Sequence, residues 1–296
     1  MMATYNGENY IREQIDSIIA QTYDDWTLYI SDDESSDSTL KIIRDYSDAM
    51  PDKIKIINEK RVGGAKNNFI YLYNNCPHAE LYMFSDQDDI WLPDKIKKMV
   101  DKYDQMGMDN TLIYSELRVV DSELNTVSDT FIKNLHYSLK NEFMLMNNYI
   151  PGCVMMIDDK LKSSIGTIPK ECIMHDWWIA MYATYFGHIS CANEYLHLYR
   201  QHEKNAIGAE QERFNKDDID KAVKKLKKRK KQNNAFLKAY KDLMTDYDKK
   251  VFGRFNRMCN KTHSLKAIGI FLYHFKTNNK SDNRVYLKSV WNKKIG

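Results

Sequence analysis

Tyr82-Met83-Phe84-Ser85-Asp86-Gln87-Asp88-Asp89-Ile90-Trp91-Leu92-Pro93-Asp94 is the stretch that decides the fold. A short apolar strand, Leu81 to Ser85, runs straight into a cluster of carboxylates and then into a helix announced by Pro93-Asp94. Side chains alternate along extended backbone, so Asp86 and Asp88 point one way and Gln87 the other. Hard oxygen ligands at that spacing suit Mg²⁺ or Mn²⁺ bridged to a substrate's phosphates. A solvated acidic turn capping a helix has the same local sequence, so the rest of the chain must decide between the two.

Upstream, residues 8 to 21 carry Tyr10, Ile11, Ile15, Ile18 and Ile19 at helical spacing, after an Ala3-Thr4-Tyr5-Asn6-Gly7 turn. Trp26 to Ser31 reads as a strand, and Asp32 to Asp37 as a polar loop whose serines cap a helix from Ser38 to Tyr46. Lys53 to Asn58 is a strand, Val62-Gly63-Gly64 a turn and Ala65 to Asn75 a helix. Downstream come a helix from Asp94 to Met106, a strand from Leu112 to Val120, a helix from Leu139 to Asn147 and a strand from Cys153 to Ile157. Trp178, Met181, Tyr182 and Tyr185 set a helix over His175 to Phe186, followed by short strands at Ile189 to Cys191 and Tyr195 to Tyr199. Beyond Gly208 the periodicity is helical throughout. Alternating strands and helices imply an α/β fold with a parallel sheet and helices on both of its faces. Only Met1, Met2 and Ala3 precede the first turn, short of the about five or six residues of a typical strand; this reads as a clipped strand or a misassigned start.

The formal charge of +3 conceals a split: residues 1 to 208 hold 20 Lys and Arg against 32 Asp and Glu, and residues 209 to 296 hold 24 against 9. The two regions have opposite electrostatic roles. Five cysteines, Cys76, Cys153, Cys172, Cys191 and Cys259, form no C-x-x-C pair, which argues against a zinc site or a disulfide framework and for a reducing cytoplasm. There is no basic-then-apolar leader and no run of about 20 apolar residues, so any membrane contact is made from one side.

In an open parallel sheet, ligands gather at the carboxyl ends of the strands. Four polar clusters are expected there: Thr4-Tyr5-Asn6, Asp32-Asp33, Gly63-Gly64-Ala65-Lys66-Asn67 and Asp86-Gln87-Asp88. A tyrosine beside a carboxylate can stack on a pyrimidine and accept its N–H. Paired glycines before a helix let backbone approach a ligand, and Lys66 adds charge. Each cluster has a dull explanation alone; their coincidence is the signal.

Together, Ala-Thr-Tyr-Asn-Gly-Glu-Asn-Tyr-Ile at 3 to 11, Gln-Thr-Tyr-Asp-Asp-Trp at 21 to 26, Ser-Asp-Asp-Glu-Ser-Ser-Asp at 31 to 37 and Phe-Ser-Asp-Gln-Asp-Asp-Ile-Trp-Leu-Pro-Asp at 84 to 94 resemble the family 2 inverting glycosyltransferases. The resemblance implies an α/β, A-type, Rossmann-like fold: a mixed sheet flanked by helices, forming a catalytic domain over residues 1–208, with a basic helical extension over 209–296. It implies sugar transfer from a nucleotide diphosphate donor with inversion. By that resemblance Tyr5 stacks on the base, Asp33 accepts its N–H, and Thr4, Asn6, Gly64, Lys66 and Gln87 complete the nucleotide site. Asp86 sits near ribose and cation, Asp88 is the main ligand of Mn²⁺ or Mg²⁺, and His202, within Tyr199-Arg200-Gln201-His202-Glu203-Lys204-Asn205, completes the metal shell. Asp176, in Ile173-Met174-His175-Asp176-Trp177-Trp178, takes the place of the general base. Gly152 and Cys153 form the corner beneath the acceptor, which Trp91, Trp177 and Trp178 would also face. Glu34 departs from the family pattern, which has glycine after the paired aspartates, so this loop is expected to bend differently.

The wording at Ser85 to Trp91 is similar to rhamnosyltransferase-like members, favouring a dTDP-rhamnose donor with a UDP-hexose as the alternative. The implied acceptor is a saccharide, free or lipid-linked, in capsule or O-antigen synthesis. Between Lys221 and Lys231, eight of eleven residues are Lys or Arg. That basic amphipathic helix is either a solvated face or a peripheral contact with anionic lipid at the inner face of the plasma membrane. Nucleic acid is not implied, because no recognition motif accompanies the charge. A non-catalytic nucleotide-binding scaffold with a lipid- or partner-binding tail is the reading from another class; the joint presence of Asp33, Asp86, Asp88 and Asp176 argues against it.

Overall fold

The computed structural model describes residues 1–129, 131, 141–202, 218–260, 264–276 and 280–292. In chain order the elements begin β1 (Met2–Thr4), α1 (Ile11–Ile19), β2 (Leu28–Asp32), α2 (Thr39–Ala49), β3 (Ile54–Asn58), α3 (Ala65–Asn75), β4 (Leu81–Met83) and β5 (Ile90–Trp91). They continue with α4 (Lys95–Met106), β6 (Thr111–Val120), β7 (Thr126–Ser128), α5 (Asn141–Met144), a 3₁₀ turn (Gly152–Val154), β8 (Met155–Asp158), α6 (Asp159–Ile165), α7 (His175–Phe186) and β9 (His188–Arg200). The C-terminal helices are α8 (Ile219–Tyr240), α9 (Asp246–Asn260), α10 (Leu265–Ile270) with a π-helical turn (Phe271–Phe275), and α11 (Lys280–Asn292). The chain forms two compact units: residues 1–134, 150–168 and 187–209, and residues 135–149, 169–186 and 210–296. The boundary expected at residue 208 lies outside the described residues, as does the first part of the helix expected from Leu139.

In the first unit, β1, β2 and β3 are parallel, with β2 central. Met2 also bridges in parallel to Ser85, just past β4, which brings β1 beside β4. From there the sheet runs β4-β8-β6-β9-β5. The pairings of β8 with β4 and β6, and of β5 with β9, are antiparallel, whereas β6 and β9 are parallel, so the sheet is mixed. All three residues of β1 are buried, Met2 in a core with Ile11, Ile15, Ile18, Ile30, Ile42, Ile43 and Ile54. The i, i+4, i+7 isoleucines of α1 supply one side of that core; each fully buried isoleucine contributes about 1.5–3 kcal/mol.

Two local expectations are corrected. The serines do not cap α2: Ser38 makes no side-chain cap bond, and Asp37 Oδ1 accepts from Thr39 N at 2.9 Å instead. A carboxylate there also suits the helix dipole. The two short strands expected near the end of this unit are one strand, β9, because Asn193 at φ 59° and register shifts against β6 absorb the polar Asn193-Glu194 interruption.

In the second unit, Trp178 is fully buried, edge-on to Phe236 at 5.2 Å, and its Nε1 donates to Tyr240 Oη at 3.2 Å. The buried stripe of α8, Ala222, Val223, Leu226, Arg229, Gln232, Asn233, Phe236 and Tyr240, crosses the basic run. Arg229 therefore turns inward, donating to Tyr286 Oη and to Asn147 Oδ1, while Lys224, Lys227, Lys228 and Lys231 are exposed. No helix among the described residues is long and apolar enough to cross a membrane.

Candidate active site

The strand ends of the first unit carry the predicted clusters. After β1, Thr4 is buried and its Oγ1 donates to Asp32 Oδ2 at 2.7 Å, which ties the end of β1 to the end of β2. Tyr5 is 49% exposed, its ring free of the core. Its main chain is clamped by Gln87: Tyr5 N donates to Oε1 at 2.8 Å and Nε2 donates to Tyr5 O at 2.9 Å. Asn6 takes a left-handed φ of 46° and its Oδ1 accepts from Ser36 N at 2.9 Å, tying this loop to the one after β2. Glu34 sits at φ 63°, so the loop keeps the bend a glycine would favour and carries the strain of a side chain there.

Asp33 is buried and binds its own chain. Oδ1 accepts from Val62 N at 2.5 Å and Gly63 N at 2.9 Å, and Oδ2 from Gly64 N at 2.5 Å. Burial alone would raise its pKa; the three N–H groups and Arg61 outweigh that and hold the carboxyl below its ordinary range. Gly63 and Gly64, at φ 95° and 91°, make this loop possible and lead into α3 and half-buried Lys66. Asp33 thus shapes the glycine turn, a role the sequence did not reveal.

After β4, Asp86 and Gln87 are half-buried. Asp88 Oδ2 accepts from His202 Nε2 at 3.0 Å, which unites two residues 114 apart in sequence. Burial, then the neighbouring Asp89 carboxylate, push Asp88 up to about 6. His202 stacks on Tyr10 at 4.6 Å, and Tyr10 in turn lies under the Arg200 guanidinium at 4.7 Å. Arg200 is a buried strut: Nε donates to Asp88 O at 2.9 Å, Nη1 to Ser122 O at 2.7 Å, and Nη2 to Glu13.

Behind the pair lies a second network that the sequence did not announce. Asp89 is fully buried; Oδ1 accepts from Arg200 N at 2.9 Å and Oδ2 from His197 Nε2 at 2.7 Å. Lys95, fully buried in the first turn of α4, donates to His197 Nδ1 at 2.9 Å and to Cys153 O at 2.6 Å, and lies over the Trp91 ring at 4.1 Å. Burial pulls Lys95 down to about 7 against the attraction of Cys153, Asp89 and Asp86, and, with Lys95 nearby, keeps His197 neutral. Lys95 gave no signal in the sequence, since a lysine early in a helix ordinarily faces water.

Two groups of side chains bring cation-ligand atoms together. Asp89, Cys153 and His197 bring ligand atoms within 4.8 Å of one another. That trio does not fit, because both ring nitrogens of His197 are already engaged, Nε2 by Asp89 and Nδ1 by Lys95. Asp88 and His202 fit on their chemistry: a carboxylate oxygen and an imidazole nitrogen suit Mn²⁺, in a pocket whose crowded carboxylates favour added positive charge.

The three tryptophans expected at the acceptor are buried. Trp91 is only 5% exposed, part of the core that holds α1 and β2, and offers no open face to an acceptor. Trp177 and Trp178 are both buried in the second unit, Trp177 Nε1 donating to Met144 O at 2.8 Å. The reason is common to all: a flat ring is worth more packed than exposed, and each indole found apolar neighbours. Gly152 and Cys153 are buried in the 3₁₀ turn, where Cys153 contributes its carbonyl to Lys95. In the second unit, Asp176 is half-buried in the first turn of α7, its Oδ1 accepting from Trp177 N at 2.5 Å. Its neighbour His175 is buried and pushed down to about 3 by that burial, so it stays neutral.

The family model of Glycosyl transferase family 2 matches residues 1–163, more than half of the chain and all of the strand ends just described except β9. The chain belongs to that family. It is 32% identical over 226 residues to the dTDP-rhamnosyl transferase RfbG of Shigella flexneri, covering 70% of this chain and 74% of that one. To the UDP-Glc:alpha-D-GlcNAc-diphosphoundecaprenol beta-1,3-glucosyltransferase WfgD of Escherichia coli it is 27% identical over 165 residues, 54% of this chain and 59% of that one. Among solved structures it is similar to S. aureus TarS in complex with UDP-GlcNAc, with a TM-score of 0.59 and 18% identity over 86% of this chain and 70% of that one. The mannosyltransferase PcManGT from Pyrobaculum calidifontis, in complex with GDP-Man and Mn²⁺, superposes with a TM-score of 0.59 at 13% identity, covering 98% of this chain and 84% of that one. At such identities the structures speak for the fold, and that fold is the A-type glycosyltransferase fold with its mixed sheet.

Proposed function

We propose that the enzyme transfers a sugar from a nucleotide diphosphate donor, dTDP-rhamnose or a UDP-hexose, to a hydroxyl of a saccharide acceptor with inversion, in the synthesis of a cell-surface polysaccharide. The Asp88–His202 pair, 3.0 Å apart in the segments that follow β4 and β9, carries the reading. A divalent cation held by Asp88 and His202, with Asp86 near it, would neutralise charge on the departing diphosphate. Exposed Tyr5, held by the Gln87 clamp, offers its ring to the base. A carboxylate has about four acceptor positions, and Asp33 fills three with amides, leaving one for the base N–H.

Asp176 takes the proton as the acceptor oxygen attacks the anomeric carbon and the bond to the diphosphate breaks on the opposite side, its electron pair leaving with the phosphate oxygen. Trp177 N–H fixes one oxygen of that carboxylate. The 32% identity to a dTDP-rhamnosyl transferase favours the deoxyhexose donor; the glucosyltransferase relative and the UDP-bound neighbour keep the hexose in play. A panel of dTDP-rhamnose, UDP-glucose and UDP-GlcNAc, with and without Mn²⁺, read by release of the nucleoside diphosphate, tests the reading. Asp176→Asn should lower turnover about 10²- to 10⁴-fold and spare donor affinity. Wild-type turnover in that variant removes Asp176 from the role, and release indifferent to Mn²⁺ removes the cation.

A further inference from the structure

α10 and the π-helical turn after it make one continuous helical segment, Leu265–Phe275. Its inner side packs in the ordinary way: Ala267, Phe271 and Phe275 are buried at i, i+4 and i+8, Phe275 edge-on to Phe255 at 5.4 Å. The outer side breaks the rule that a surface helix turns polar residues to water. Leu265 is 78% exposed, Leu272 46% and Tyr273 84%; Leu265 and Tyr273 are the two most exposed large hydrophobic residues among those described. Gly269 sits between them, also exposed, and the charged side chains of the segment, Lys266 and Lys276, are exposed with them. No carboxylate occurs from Ser264 to Lys276.

We propose that this outer face, Leu265, Leu272 and Tyr273 with Lys266 and Lys276, docks onto an anionic lipid bilayer. Leucines reach the acyl boundary, a tyrosine sits at headgroup level, and lysines lay their stems along the apolar surface and give their ammonium groups to phosphates. The charge of the C-terminal region fits: residues 209–296 carry 24 basic against 9 acidic side chains, and Lys224, Lys227, Lys228 and Lys231 of α8 are exposed. That surplus draws an anionic surface and repels the same basic face of a second copy. The α8 lysines alone would meet any anion. The apolar residues of α10 select the bilayer, because a free phosphate or polyanion leaves them wet. The inference is independent of the sugar-transfer reading.

The test uses the full chain and vesicles of phosphatidylcholine with about a third phosphatidylglycerol, against pure phosphatidylcholine, at about 0.1 M salt. The chain should co-sediment with the anionic vesicles only. L265S/Y273S should reduce partitioning about tenfold with an unchanged melting temperature. In Y273W, the emission difference from the parent chain should shift to the blue on vesicle addition. Undiminished partitioning of L265S/Y273S, or no shift in vesicle-bound Y273W, overturns the proposal in favour of adsorption through lysines alone. A concentration-dependent dimer that forms without vesicles and disappears in L265S/Y273S overturns it in favour of a protein partner.

Discussion

Replacing Gly7 with alanine would set a Cβ 2.4 Å from Gln87 Cδ, 2.5 Å from its Oε1 and 2.8 Å from its Nε2. These are the far atoms of a flexible side chain, and Gly7 is not in the left-handed region, so the variant folds and Gln87 swings away. What goes with it is the reciprocal clamp on Tyr5, bonds of 2.8 and 2.9 Å. A net hydrogen bond is worth about 0.5–1.5 kcal/mol; both are exposed to competing water, so the pair is worth about 1–2 kcal/mol. If that energy holds Tyr5 ready for the base, affinity for UDP or dTDP falls roughly 5- to 30-fold. The assay is nucleotide titration and thermal melting of Gly7→Ala, Gln87→Ala and the double variant. With Gln87 truncated there is nothing to displace, so adding Gly7→Ala should change affinity and stability by less than about 0.5 kcal/mol. If Gly7→Ala costs as much in the Gln87→Ala background as in the parent, the clash is not with Gln87 and the clamp argument fails.

Asp88 and Asp89 keep their protons in the folded state up to about 6 and about 7, against 3.8 unfolded. Their stabilisation is therefore full below about pH 4 and is lost as pH rises through these values. Mn²⁺ needs the ionised Asp88, so its gain in melting temperature should grow from about pH 5 to about pH 7.5; a pH-independent gain contradicts the assignment of Asp88 as ligand. Tyr10→Leu removes the ring that orients His202 at 4.6 Å and should weaken Mn²⁺ affinity, measured by calorimetry without substrate, about 10- to 100-fold. Unchanged affinity would mean that His202 is not in the metal shell. At Glu34, φ 63°, glycine should be neutral to stabilising by about 1 kcal/mol and valine destabilising by about as much or more, read by denaturant melts; equal effects would contradict the strain.

The sequence by itself determined which residues gather at strand ends. Asp86, Asp88 and the Gly63-Gly64 turn lie on local patterns, alternation in a strand and glycines before a helix, that depend on only a few neighbouring residues. The helical character of the C-terminal region was legible for the same reason: its 3.6-residue periodicity is a property of contiguous chain. What only the tertiary structure decided is which of those residues are free to act. Asp33 appears in sequence as an open acceptor, yet three amides from a loop some thirty residues away bind it. Lys95 looks like a surface lysine until β9 and the 3₁₀ turn close over it and join it to His197 and Cys153. Trp91, Trp177 and Trp178 look like sugar platforms and are buried, while Leu265 and Tyr273 are apolar and face outward. Burial and hydrogen bonding depend on what the rest of the chain brings to each side chain, over separations of tens to a hundred residues, and no local pattern records that.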